Sequence, residues 1–122
     1  MAGPLDGIKV LELARVLAGP WAGQILSDMG ADVIKVERPG QGDETRTWGP
    51  PYVEGKNGEN LSAAYYHAIN RGKRSVLADF RTKDDIAFVT SLIKEADILL
   101  ENYKVGQLKK YGLDYESVKK IN

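Results

Sequence analysis

Short apolar blocks recur along the chain, and stretches with helical spacing separate them. Ile8-Lys9-Val10-Leu11-Glu12-Leu13 follows Gly7 and reads as a buried strand. Val33-Ile34-Lys35-Val36-Glu37 is richer in β-branched residues and is closed by Arg38-Pro39-Gly40. Ser75-Val76-Leu77-Ala78-Asp79-Phe80 and Asp97-Ile98-Leu99-Leu100-Glu101 read as a third and a fourth strand. Strands this continuously apolar suit a parallel sheet covered on both faces.

Between the first two strands, Pro20 suits a first helical position, and Trp21, Ile25 and Met29 share one stripe. Gly30 supplies the stop, because glycine takes the left-handed position after a helix without steric penalty. Thr82 can cap the next helix with Asp85 as its capping-box partner, and Ile86, Val89, Leu92 and Ile93 mark an inward face. A short helix is expected from Gln107 to Tyr111, stopping at Gly112, and another after Asp114 through Glu116, Val118 and Lys119. Leu61 to Ile69 has the spacing of one more short helix. Repeated strand–helix–strand units imply right-handed crossovers and a doubly wound, mostly parallel, Rossmann-like α/β sheet with helices on both faces. Residues 38–60 break the rhythm as a long irregular loop, and a loop of that length usually has a job or wraps a neighbour.

Composition narrows the function classes. The 122 residues carry 17 Lys+Arg against 17 Asp+Glu, a formal net charge of zero, which argues against a general nucleic-acid binder. With no cysteine and a single histidine, His67, thiol chemistry and the usual zinc clusters have nothing to build on, and no metal is expected. The start lacks a signal-peptide pattern and no apolar run approaches a membrane span, so the expectation is a cytoplasmic protein without a membrane partner.

In open α/β sheets ligands bind beyond the carboxyl ends of the strands. After the first strand, Ala14-Arg15-Val16-Leu17-Ala18-Gly19-Pro20 holds only one of the glycines of the dinucleotide fingerprint, so NAD binding in the usual manner is not expected, although Glu37 lies near the place of a ribose-binding carboxylate. There is neither a P-loop nor a G-x-S-x-G elbow. Arg38, after the second strand, reads either as a phosphate-gripping guanidinium or as a solvated arginine paired with Glu37 or Asp43. Arg71, Lys73 and Arg74 read as a charged approach to a buried strand. Asp79-Phe80-Arg81-Thr82 leads from a strand end into a helix N-terminus, where backbone N–H groups attract anions. Asn102-Tyr103-Lys104 could hold a base and a phosphate, or Tyr103 could simply pack under the next helix. His67 reads as a surface or packing residue.

Taken together, these segments resemble the N-terminal part of family III CoA-transferases, the CaiB/BaiF family. The resemblance is carried by Pro4 to Leu13, Ala18-Gly19-Pro20, Leu26 to Gly40 with Gly42-Asp43, Asn70 to Ser75, Asp97 to Tyr103 and Gly112-Leu113, in order across nearly the whole chain. It implies that residues 1–122 are the incomplete N-terminal, CoA-binding portion of a larger domain. By position, Val16 and Leu17 would touch the pantetheine arm and Arg38 would hold phosphates of the 3′-phosphoadenosine end. Ala78, Asp79, Phe80 and Arg81 would flank the nucleotide together with Asn102, Tyr103 and Lys104. Lys110 stands where relatives often carry an arginine, and it keeps the charge without the bidentate fork. Lys104-Val105-Gly106 replaces the commoner Arg-Pro-Gly.

The resemblance further implies an enzyme that moves CoA between an acyl-CoA and a carboxylic acid through an aspartyl-CoA intermediate, and an interlocked homodimer. Its nucleophilic aspartate is expected beyond Asn122, so none of Asp28, Asp32, Asp43 and Asp79 is assigned that role and residues 1–122 alone are expected to be inactive. The 43–51 loop looks more like the transferases than the α-methylacyl-CoA racemase branch. That branch, and a non-catalytic CoA-binding or dimerisation module, are the alternatives.

Overall fold

The computed structural model describes residues 2–122. In chain order its elements are β1 (Lys9–Glu12), α1 (Ala18–Asp28), β2 (Asp32–Glu37), β3 (Tyr52–Glu54), β4 (Asn60–Ala63), α2 (Ala64–Ala68), β5 (Arg74–Leu77), α3 (Lys83–Glu95), β6 (Ile98–Leu100) and α4 (Tyr115–Lys119). Short 3-10 helices occupy Glu44–Thr47 and Leu108–Tyr111.

The expected fold is present. One sheet runs in the order β5-β2-β1-β6, and every neighbouring pair is parallel. Counting only these strands along the chain, the spatial order is 3-2-1-4, the Rossmann order. Its reversal point lies between β1 and β6, where such folds open a ligand crevice. On one face, Leu11, Leu13 and Val36 pack against Val89 and Ile93 of α3. On the other, Val10 and Val33 pack with Leu26 of α1. Thr82 caps α3 as expected, accepting from the Asp85 amide at 3.2 Å. The Asp85 carboxylate reaches back past the cap, however, to the Asp79 amide at 2.7 Å.

Several elements differ from the sequence reading. Helix α1 begins at Ala18 with Leu17 as its cap, so Pro20 is its third residue, still within the first turn where a missing N–H costs nothing. The Trp21–Ile25 stripe faces outward, at 54% and 50% exposure, and α1 instead buries Pro20, Gly23 and Gln24. The reason lies beneath the helix: a Cβ on Gly23 would collide with the Glu12 carboxylate, so only glycine lets α1 approach. Residues 38–60 are not wholly irregular, because they contain the first 3-10 helix and β3. Strand β3 pairs antiparallel with β4 as a hairpin. Leu61–Ala63 therefore belong to a strand, and only Ala64–Ala68 form the expected short helix. Among the described residues no helix is long and apolar enough to cross a membrane.

Candidate functional site

The α1-facing side of the sheet turns charged toward its carboxyl end. Side chains alternate along β1 and β2, so Glu12, Lys35 and Glu37 point to the same face as Val10 and Val33, and all three are buried. Burying an ion is costly unless it is paired and hydrogen-bonded, and each of these is. Lys35 Nζ lies 3.1 Å from Glu12 Oε2 and 2.9 Å from Asp43 Oδ2. Lys73 Nζ meets Glu12 Oε1 at 2.8 Å and also donates to the Pro20 carbonyl and Asn70 Oδ1. Glu37 takes a two-pronged grip from Arg46, with both contacts at 2.7 Å, and accepts further bonds from Ser75 Oγ, Tyr66 OH and the Asp43 amide. No buried side-chain N or O among the described residues lacks a hydrogen-bond partner.

Their ionisation follows from this geometry. Burial alone would raise the Glu37 carboxyl, but the bonds from Arg46, Ser75 and the Asp43 amide outweigh it and hold the group at about 2. Burial likewise opposes ionisation of Asp43, and the Thr45 amide and the Lys35 ammonium nevertheless keep it below its ordinary value. Tyr66 is pushed well up, first by burial and then by the Glu37 charge beside it.

Next to this network the strand ends enclose a cleft of about 240 Å³. Its walls include Arg15, Arg38 and Arg81, the rings of Phe80, Tyr103 and Tyr111, and the inner groups Lys35, Glu37 and Asp43. Arg38 and Tyr103 thus share one cavity, although they follow different strands. Burial raises the Tyr103 hydroxyl, and the charges of Arg15 and Arg38 pull it the other way. The Arg15 guanidinium sits 4.9 Å from the Tyr103 ring centre, and Phe80 meets Tyr111 edge-on at 5.6 Å. Arg81 pairs with Asp79 at 2.7 Å and holds that carboxyl at about 2. Glu37 and Asp43 are committed to Arg46 and Lys35, so the reading of Arg38 as their partner does not hold, and Arg38 has no ion pair among the described residues. Three guanidiniums with three aromatic rings form a chemistry suited to phosphate and a flat base. Among the described residues no three His, Cys, Asp or Glu side chains gather as a metal site.

Of the residues singled out from sequence, Arg38, Ala78, Asp79, Phe80, Arg81 and Tyr103 line this cleft. Val16 and Leu17 form the turn beside Arg15, with the Val16 amide directed at Asp43, itself in the cleft wall. Asn102 is engaged elsewhere: its amide brackets the Arg15 backbone, accepting from N–H at 3.0 Å and donating to C=O at 2.7 Å. Lys104 and Lys110 are exposed and are not part of the wall, although Lys110 Nζ lies 4.8 Å from the ring of Tyr111. The approach to β5 is structural: Arg71 pairs with Asp28, Arg74 with Asp32, and Lys73 with Glu12. His67 bonds the Leu61 carbonyl at 2.8 Å and lies outside the site. The sequence reading missed Arg15, Gln107 and Tyr111 in the wall, and the whole buried network. Arg15 could have been found from its place directly after the first strand.

Residues 5–122 match the model of CoA-transferase family III. The chain belongs to that family. This family III chain is 66% identical over 119 residues to the succinate–glutarate CoA-transferase of Agrobacterium fabrum, covering 98% of the chain and 30% of the relative. It is 45% identical over 118 residues to the human succinyl-CoA:glutarate CoA-transferase, covering 97% of the chain and 26% of the relative. The crystal structure of a CaiB/BaiF family protein from Brucella suis superposes with a TM-score of 0.94 at 63% identity, over 100% of this chain and 32% of that one. The family III chain therefore spans 26% to 30% of the length of the curated relatives it matches.

Proposed function

We propose that residues 1–122 form the nucleotide-side CoA-binding part of an enzyme that transfers CoA between an acyl-CoA and a carboxylic acid. The observation that carries this reading is the convergence of Arg15, Arg38 and Arg81 with Phe80, Tyr103 and Tyr111 in one cleft at the strand ends. Arg38, free of ion pairs among the described residues, takes a phosphate of the 3′-phosphoadenosine end; Arg81 joins it by exchanging Asp79 for the ligand. The aromatic rings flank the adenine, and Val16 and Leu17 lie along the pantetheine arm. The two curated relatives named above are CoA-transferases whose names pair succinate or succinyl-CoA with glutarate, which favours short dicarboxylic acids as the acyl and acceptor groups and the transferase branch over the racemase branch.

The nucleophile of this reaction is an aspartate outside these residues. Its carboxylate attacks the thioester carbon and expels the CoA thiolate, giving a mixed anhydride; the thiolate then displaces the acyl carboxylate to leave an aspartyl-CoA thioester. The aspartates weighed for that role within the chain are all engaged: Asp28 by Arg71, Asp32 by Arg74, Asp43 by Lys35 and Asp79 by Arg81. The two-subunit, interlocked assembly belongs to the same proposal.

Calorimetric titration tests the reading. The full-length protein binds CoA more tightly than 3′-dephospho-CoA, and Arg38→Ala weakens CoA binding about 10- to 100-fold while erasing that preference, as expected for a lost charge-assisted hydrogen bond. Unchanged binding in Arg38→Ala, or tighter binding of dephospho-CoA, would refute it.

A further inference from the structure

The last ladder bond of β1 runs from the Leu13 amide to the Leu100 carbonyl at 2.8 Å. Beyond it, successive backbone groups are held by side chains from other strand ends. Lys35 Nζ donates to the Ala14 carbonyl at 2.9 Å. Asn102 takes both the N–H and the C=O of Arg15, at 3.0 and 2.7 Å. The Val16 amide then donates to Asp43 Oδ2 at 3.2 Å. Asn102 comes from the end of β6, Lys35 from within β2 and Asp43 from the loop after β2, so the clamp ties the sheet's reversal point from both sides.

What it holds is strained. Val16 has a φ of 69°, a conformation that is an outlier for a β-branched residue and persists only where the surroundings over-determine it. Dinucleotide-binding folds place glycine in this turn, so that the backbone comes close to the ligand without steric cost. Here the turn is valine, and the side-chain bonds impose the shape that glycine would allow. A buried ion pair such as Lys35–Asp43, at 2.9 Å, is seldom the most stable way to fill an interior, which points to a directional task for it. Lys35 and Asp43 both reach the cleft wall, and α1 starts directly after the turn without a side-chain cap.

We propose that Lys35, Asp43 and Asn102 are positioning residues that lock residues 14–16 into the turn along which the pantetheine arm of CoA runs. This rests on the CoA-site reading above. Asp43 is the decisive member. Its two oxygens serve the Val16 amide, Lys35 and Thr45 together, and an amide in its place has one acceptor for the work of two.

The test compares CoA with adenosine 3′,5′-bisphosphate, which has the nucleotide end and no pantetheine, by calorimetry on the full-length protein. Asp43→Asn raises the CoA dissociation constant about 10- to 100-fold but does not weaken the bisphosphate, whose phosphates lose a negative neighbour in the cleft wall. Adding Val16→Gly to Asp43→Asn recovers part of the lost affinity relative to Val16→Gly alone, which accounts for the missing valine contact, because glycine adopts the turn unaided. Thr45→Val is isosteric and removes one hydrogen bond that steers the Asp43 carboxylate. It gives a smaller loss with the same selectivity, and it decides the matter if Asp43→Asn does not fold. Equal losses for both ligands, or no recovery in the double variant, would overturn the clamp while leaving the CoA site in place. Absence of CoA binding in the wild type would overturn the site reading and the clamp with it.

Discussion

Replacing Glu37 with glutamine removes the charge on which Arg46, Ser75, Tyr66 and the Asp43 amide converge. The side chain is 1% exposed, so solvent offers it almost no screening. Its folded-state value of about 2 lies below the ordinary glutamate value of 4.5. That span, at ~1.36 kcal/mol per pH unit, corresponds to about 3 kcal/mol of stability at neutral pH. Because the folded value is the lower one, the contribution is complete above about pH 4.5 and is lost as pH falls toward about 2. Urea unfolding followed by tryptophan fluorescence, for wild type and Glu37→Gln across this range, measures it. The variant is expected to be about 3 kcal/mol less stable near neutral pH, and the gap narrows steadily on acidification. Equal stability at neutral pH, or a gap that does not change with pH, would show that the network does not hold Glu37 ionised as argued.

Gly23→Ala is expected to lower the melting temperature, costing about 1–3 kcal/mol, because the new methyl meets the Glu12 carboxylate and α1 must lift off the buried charges; an unchanged melt would contradict the close approach. Residues 1–122 on their own are expected to self-associate through exposed apolar side chains such as Trp21 and Ile25. Light scattering should show a mass that rises with concentration and falls when both are changed to glutamine, and a clean monomer at high concentration would count against it.

Fold class was legible because it depends on local signals that add up. Four apolar blocks, the Gly30 stop and the Thr82 cap each restrict a few residues, and together they specify strand–helix–strand units with right-handed crossovers, while the order of the strands came from the structure. The cleft was legible in part for the same reason: ligands gather at strand ends, and Arg38, Phe80, Arg81 and Tyr103 each follow a strand. The hairpin of β3 and β4 was hidden, because strands this short and exposed carry no alternation to read.

Read as a string, Lys35 and Glu37 are two polar interruptions in an apolar run, Asp43 and Arg46 are scattered residues of a long loop, and Tyr66 is one residue of a short helix. Nothing local reveals that they meet. Burial of a charge is decided by whether partners arrive from elsewhere in the chain, and here they come from as far as Lys73, which reaches Glu12 across the sheet. The sequence by itself determined the four strands of the parallel sheet, most of the helices and the ends at which a ligand would sit. Only the tertiary structure decided which face of α1 is buried, that Asn102 holds backbone, and that a valine takes the turn where such folds place glycine. Propensity acts between neighbours along the chain, whereas pairing and strain depend on distances that exist only once the sheet has closed.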